Sequence, residues 1–276
     1  MQLLEGKPVA DFYKQHIAET VQALKEQQKQ PALSIILVGN DAPSAMYAKS
    51  MQKIAKASGF EATIHALPET VEEDALLTLI QQINASHTVA GILLMMPLPA
   101  HIHTQRVINT IAPEKDVDGL TDRNIARLFS GRPALVPCTP QAVMAILHYY
   151  NIPLDGKHVV VLGRSNVVGK PVAQLCLDSN ATVTICHSHT KDLAKITKTA
   201  DILIAAVGKA NFVTKDMVKS GAVVIDVGIN RVNGKTVGDV DFTSVAAMAG
   251  AITPVPGGVG AVTTTMVLAN ALMGVD

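Results

Sequence analysis

His158–Pro171 reads HVVVLGRSNVVGKP, and the way its apolar run breaks decides the fold. Three valines and a leucine in succession mark a short strand buried on both faces. The run stops at Gly163, and a helix is expected to begin near Val167 or Val168, with Gly169 close behind. A strand, a glycine turn and a helix in that order point backbone N–H groups at an anion over the helix N-terminus, as dinucleotide folds do with a pyrophosphate. The spacing Gly163-x-Ser165-x-x-x-Gly169 departs from GxGxxG, so taken alone the stretch reads equally well as an ordinary tight βα turn.

The residues downstream favour the nucleotide reading. Segments 181–186 (ATVTIC), 201–207 (DILIAAV) and 222–227 (AVVIDV) read as further strands separated by short helical stretches, the pattern of a doubly wound parallel sheet. A fold of this kind that prefers NAD places an acid at the end of the second strand to take the ribose hydroxyl. Here that place holds Cys186, His187, Ser188 and His189, with Arg164 in the first turn and Lys191 nearby. A 2′-phosphate suits this set better than a free hydroxyl, so the expected cofactor is NADP; the histidines can also be read as a solvated loop.

Composition narrows the class. The 276 residues allow two domains, 48% are hydrophobic but only 3% aromatic, and the formal net charge is zero. Aliphatic cores suit parallel sheets, and the charge balance argues against nucleic acid or an anionic membrane as partner. The longest apolar stretch, Val89 to Pro99, is far short of the ~20 residues that span a bilayer. Three cysteines without CxxC spacing point to a reducing cytoplasm and to no metal site, and the N-terminus lacks the layout of a signal peptide.

Earlier in the chain, a helical stripe over 8–29 ends at Pro31, and strands are expected at Leu33–Val38, Ala62–Ala66 and Ala90–Met95. Helices fall between them, one opened by Pro43 and closed at Gly59, the other over 71–85. The segment MPLP at 96–99 cannot continue a sheet. Residues 113–120 (PEKDVDGL) read as an acidic loop, 137–140 (PCTP) as a turn starting a helix through Tyr150, and Asn151–Gly156 as the domain boundary. The expected fold is therefore α/β with two αβ domains, 1–150 completed by a closing helix at about 261–276, and a Rossmann-like domain over 151–260, with a ligand cleft between them.

Seven separated segments, VGNDAPSAMYAKS, GILLMMPLP, PEKDVDGL, PCTP, GRSNVVGKP, VVIDVGIN and ITPVPGGVG, fall in the order and spacing of the FolD family. The chain thus resembles the bifunctional methylenetetrahydrofolate dehydrogenases/cyclohydrolases from about residue 5 to residue 273. The resemblance implies NADP as cofactor, tetrahydrofolate derivatives as substrates, and a homodimer paired through the NADP domains. It maps cofactor contacts onto Gly163, Arg164, Ser165, Ser188 and Ile229. It also implies that Tyr47 stacks on the folate and that Asp118 grips the pterin, where a carboxylate can accept two N–H groups.

Two positions depart from the family. Its catalytic lysine, four residues after the tyrosine, is here Met51, and the glutamine that positions that lysine is here Met95. Lys49, Lys53 and Lys56 lie two, six and nine residues after Tyr47 and point elsewhere on a helix. Exchanging both partners for methionine leaves no buried group unpaired, whereas losing one would cost ~1 to 3 kcal/mol. Hydride transfer needs orientation of two rings, but hydrolysis needs a positioned acid/base, so the dehydrogenase is expected to persist and the cyclohydrolase to be lost or weak. The alternatives are a fully bifunctional enzyme, a non-catalytic folate- or NADP-binding protein, and a same-fold enzyme with an altered substrate.

Overall fold

The computed structural model describes residues 1–275. The chain opens with a two-residue strand, β1 (Gln2–Leu3), and a helix, α1 (Gly6–Glu26). It then alternates through β2 (Ala32–Val38), α2 (Ala42–Ala57), β3 (Glu61–Leu67), α3 (Glu73–Ala85) and β4 (Val89–Leu94). Helices α4 (Thr104–Thr110), α5 (Asp122–Phe129) and α6 (Cys138–Tyr149) follow. The second alternation is β5 (His158–Leu162), α7 (Gly169–Asp178), β6 (Thr182–Cys186), α8 (Leu193–Thr197), β7 (Ile202–Ala205) and β8 (Val223–Asp226). A hairpin of β9 (Asn230–Val232) and β10 (Lys235–Val237), the helix α9 (Phe242–Ala246), the strand β11 (Ala251–Ile252) and the helix α10 (Val259–Met273) complete it.

Compactness divides the chain into two units, Phe12–Cys138 with the chain from Val267 on, and Met1–Asp11 with Thr139–Met266. The sequence pattern put its boundary at 151–156; this division falls instead at Cys138/Thr139 and inside α10, and it assigns the first eleven residues to the nucleotide unit. The reason lies in β1, which pairs parallel to β11 through Gln2↔Ala251 and Leu3↔Ile252.

In the first unit β2 lies between β3 and β4, all parallel. Ile35 and Ile36 of β2 are fully buried, each worth about 1.5–3 kcal/mol of apolar burial. Helix α2 starts where the sequence demanded: the Asp41 carboxylate accepts from the Ser44 backbone N–H at 2.9 Å, with Pro43 in the first turn. It stops before Gly59, whose φ of +88° is left-handed backbone that glycine adopts without strain.

The second unit is a six-stranded parallel sheet in the order β1-β11-β8-β7-β5-β6. The chain leaves β5 for β6 on one side and then returns to β7 on the other. Direction therefore reverses between β5 and β7, and the carboxyl ends of those strands form the crevice in which doubly wound folds bind ligands. Val159, Val160 and Val161 are completely buried, as their unbroken apolar run required.

Candidate functional site

The turn from β5 into α7 is built by its glycines. Gly163 has φ +116°, and a Cβ there would lie 2.2 Å from the Ala206 carbonyl oxygen; a Cβ on Gly169 would lie 2.3 Å from the Gly163 oxygen. No side chain fits at either place. Helix α7 begins at Gly169, slightly later than the sequence pattern indicated, because Val168 still has non-helical φ −127° and ψ −64°. The Ser165 hydroxyl oxygen accepts from the N–H groups of Val168 at 3.1 Å and Gly169 at 3.3 Å. Its own proton is left to donate outward.

Gly163, Arg164, Ser165 and Ser188 come together on the wall of one cavity of about 590 Å³ at the ends of β5, β6 and β7. Arg164, His187 and Lys209 line it, and among the described residues no Asp or Glu does. Ser188 and His189 sit in a turn closed by Thr190 N–H to the His187 carbonyl at 2.9 Å and by His187 N–H to the Thr190 hydroxyl at 2.8 Å. The His189 N–H donates to His187 Nδ1 at 3.2 Å. Ile229 is placed differently: it is 68% exposed and lines a second cavity of about 310 Å³ with the 254–261 loop, at the ends of β8 and β11.

Two aspartates that the sequence reading passed over hold these walls. Asp239, fully buried, accepts from the backbone N–H groups of Val207 (2.6 Å), Gly208 (2.9 Å) and Lys209 (2.9 Å) and from Asn230 Nδ2 (2.9 Å). Asp226 accepts from the N–H groups of Gly228, Asp239 and Val240, each at 2.9 Å. Burial still raises the Asp226 carboxyl to about 6 against those bonds, with the neighbouring Asp239 charge adding to the rise. Only the VVID and GDVD segments hint at this cage, and neither fixes a pairing across 13 residues.

In the first unit, Tyr47 and Met51 follow one another on a face of α2. Tyr47 is half-buried, and burial, helped by the charges of Asp118 and Cys138, pushes its phenol well above the usual range. Asp118 is raised to about 7, first by burial and then by Asp116, against a lowering hydrogen bond from Cys138. Asp116 is 2% exposed and accepts from Thr121 N–H at 2.8 Å and Asn124 Nδ2 at 3.1 Å. The carbonyl next to Asp118, on Val117, accepts from the Cys138 thiol at 3.0 Å and from Asn270 Nδ2 at 2.8 Å. Asn270 donates also to the Val136 carbonyl at 2.9 Å, so the last helix fixes both the acidic loop and the PCTP turn. Sequence reasoning missed Asn270, whose partners lie 134 and 153 residues away.

Met51 is 0% and Met95 7% exposed. Lys49, Lys53 and Lys56 are exposed, as their helical offsets required. His101 and His103 are exposed too. The His101 ring contacts the Val71 carbonyl at 3.0 Å, and the His103 N–H donates to Glu73 at 2.6 Å.

Comparison with known proteins covers nearly the whole chain. The catalytic-domain model of tetrahydrofolate dehydrogenase/cyclohydrolase matches residues 4–118, and the NAD(P)-binding-domain model of the same family matches residues 137–276. A Campylobacter curvus protein named bifunctional protein FolD is 50% identical over 273 residues, 99% of this chain and 95% of that one. The crystal structure of the bifunctional FolD methylenetetrahydrofolate dehydrogenase/cyclohydrolase from Campylobacter jejuni is similar with a TM-score of 0.98 and 42% identity, covering 100% of this chain and 98% of that one. The Trypanosoma brucei dehydrogenase-cyclohydrolase, solved with NADP and an inhibitor, gives 0.92 and 38%, covering 98% and 96%.

Proposed function

Because this chain belongs to the tetrahydrofolate dehydrogenase/cyclohydrolase family, we propose that it oxidises 5,10-methylenetetrahydrofolate to 5,10-methenyltetrahydrofolate with NADP and hydrolyses that product weakly or not at all. Bound NADP would supply the hydride acceptor. The residues present fit it: the two glycines allow a close approach of backbone to phosphate, and Arg164 with Ser188 would hold the 2′-phosphate in a wall with no carboxylate among the described residues. On the folate side, Tyr47 stays a neutral phenol suited to stacking, and Asp118 would accept paired N–H groups from the pterin. The cation left by hydride loss is stabilised by the substrate's own ring nitrogens, so the protein's task is orientation.

Hydrolysis asks for more, since a water must be activated and a ring nitrogen protonated. The observation that carries the reading is Met51, wholly buried one helical turn from Tyr47, where the family resemblance calls for a lysine; a thioether moves no proton. A second reading, a fully bifunctional enzyme, is favoured by relatives of that name at about half identity along the whole chain. A paired assay decides between them. NADPH formation from methylenetetrahydrofolate is expected, together with loss of methenyltetrahydrofolate absorbance little or no faster than in buffer. Rapid hydrolysis would establish the bifunctional enzyme. Binding of folate and NADP without turnover would make the chain a binding protein, and NADP binding without folate binding would point to another substrate.

A further inference from the structure

Lys209 stands on the cofactor cavity with no assigned task. Its backbone is fixed, because its N–H is one of the three that Asp239 gathers at the end of β7. Its ammonium sits 5.3 Å from the centre of the Phe212 ring, and among the described residues it pairs with no carboxylate. An ammonium over an aromatic face is held in direction yet keeps its donors for a ligand. Phe212 is itself anchored, packing with Leu193 and Ile196 of α8 against the core of the second unit. Phe212 and Lys209 line one cavity with Ser188 and Thr190 of the 187–192 turn and with Leu193, the first residue of α8.

We propose that Lys209, seated on Phe212, is a second cation for the 2′-phosphate of the cofactor, lining the same cavity as Arg164 and setting the preference for NADP over NAD. The inference rests on the NADP reading above and names a residue that the sequence resemblance leaves out. With Arg164 it gives the phosphate two cations and no opposing acid, which charge-assisted hydrogen bonding rewards. NAD, lacking that phosphate, gains nothing from it.

The test is a set of cofactor titrations by tryptophan-independent means such as calorimetry, on wild type, Lys209→Gln, Lys209→Arg and Phe212→Leu, each with NADP and with NAD. Wild type is expected to bind NADP more tightly; equal affinities there would overturn the NADP reading itself, before any variant is considered. Lys209→Gln is expected to weaken NADP about tenfold or more with NAD changed less than about twofold, Lys209→Arg to restore most of the loss, and Phe212→Leu to give a smaller loss confined to NADP. Equal weakening of both cofactors would assign Lys209 to the shared part of the dinucleotide, and no change in either would leave it a surface lysine; both results overturn the proposal. A merely structural role would not separate the two cofactors.

Discussion

At the scale of single residues, the proposed loss of hydrolysis turns on Met51. With the side chain fully buried, a lysine introduced alone would have to lose its charge or stand desolvated. Met51→Lys is therefore expected to lower stability by about 3 kcal/mol or more in urea denaturation while adding little hydrolysis. Adding Met95→Gln supplies an acceptor, and the double variant should recover much of that loss and hydrolyse methenyltetrahydrofolate about tenfold faster than the single. A double variant no better than Met51→Lys would separate the two positions. Asp118 makes a second prediction, with opposite signs for stability and binding. Its folded carboxyl titrates at about 7, above the unfolded value, so the stability it contributes is complete below about pH 4 and is lost as pH rises through about 7. In the proposed reading the ionised form is the one that would accept pterin N–H groups, so the KM for the folate should rise as pH falls below about 7. Asp118→Asn should raise KM and remove its dependence on pH. It should also flatten much of the stability decline, leaving the part that Asp226, titrating at about 6, contributes between about pH 4 and 6.

At the scale of elements, the cavity proposed for the cofactor depends on the exposed loop after β7. Three successive N–H groups after β7 and the Asn230 amide converge on Asp239, so removing that carboxylate leaves four donors without an acceptor. Asp239→Ala should cost about 3 kcal/mol or more of stability and weaken NADP and NAD alike, which distinguishes it from Lys209→Gln. Unchanged urea midpoints would mean that solvent or neighbouring carbonyls take over the loop. This element also marks the limit of what the sequence revealed. Strands such as 33–38 and 158–162 and the helix opened by Pro43 were legible because apolar runs and Gly or Pro punctuation act locally. The strands β1 and β11 have two residues each, too few for a pattern, and they exist through tertiary pairing, β1 with β11 and β11 with β8. The helices α4 and α5 went unread because seven or eight residues barely repeat a helical period. Of the residues that line the cavity at the ends of β5, β6 and β7, Gly163, Arg164, Ser165 and Ser188 could be named beforehand from the glycine turn, the strand after it and the family resemblance. Asp239, Lys209 and Asn270 were not, since each acts through partners that only the tertiary fold brings near.

At the scale of the whole molecule, the sheet order leaves β6 as an outer strand. Its burial falls off, with Thr182 exposed and Ile185 40% exposed, and Leu177 of α7 stands 54% exposed. An edge strand that shows apolar side chains and free ladder groups needs a cover. The family resemblance led to the expectation of a homodimer paired through the NADP domains, and the β6 edge, one of the two outer strands of that sheet, offers it a place where a second copy can continue the ladder about a two-fold axis. Zero net charge leaves little self-repulsion to oppose association. Light scattering on the purified chain should then give twice the 29.1 kDa of one chain, with little change in salt. Ile185→Lys, placed on an exposed edge position and so harmless to the core, should shift the population toward monomer as the protein is diluted, with cofactor affinity retained. A wild-type monomer would dismiss the pairing altogether, while a dimer indifferent to Ile185→Lys would move the interface to another face of the same unit.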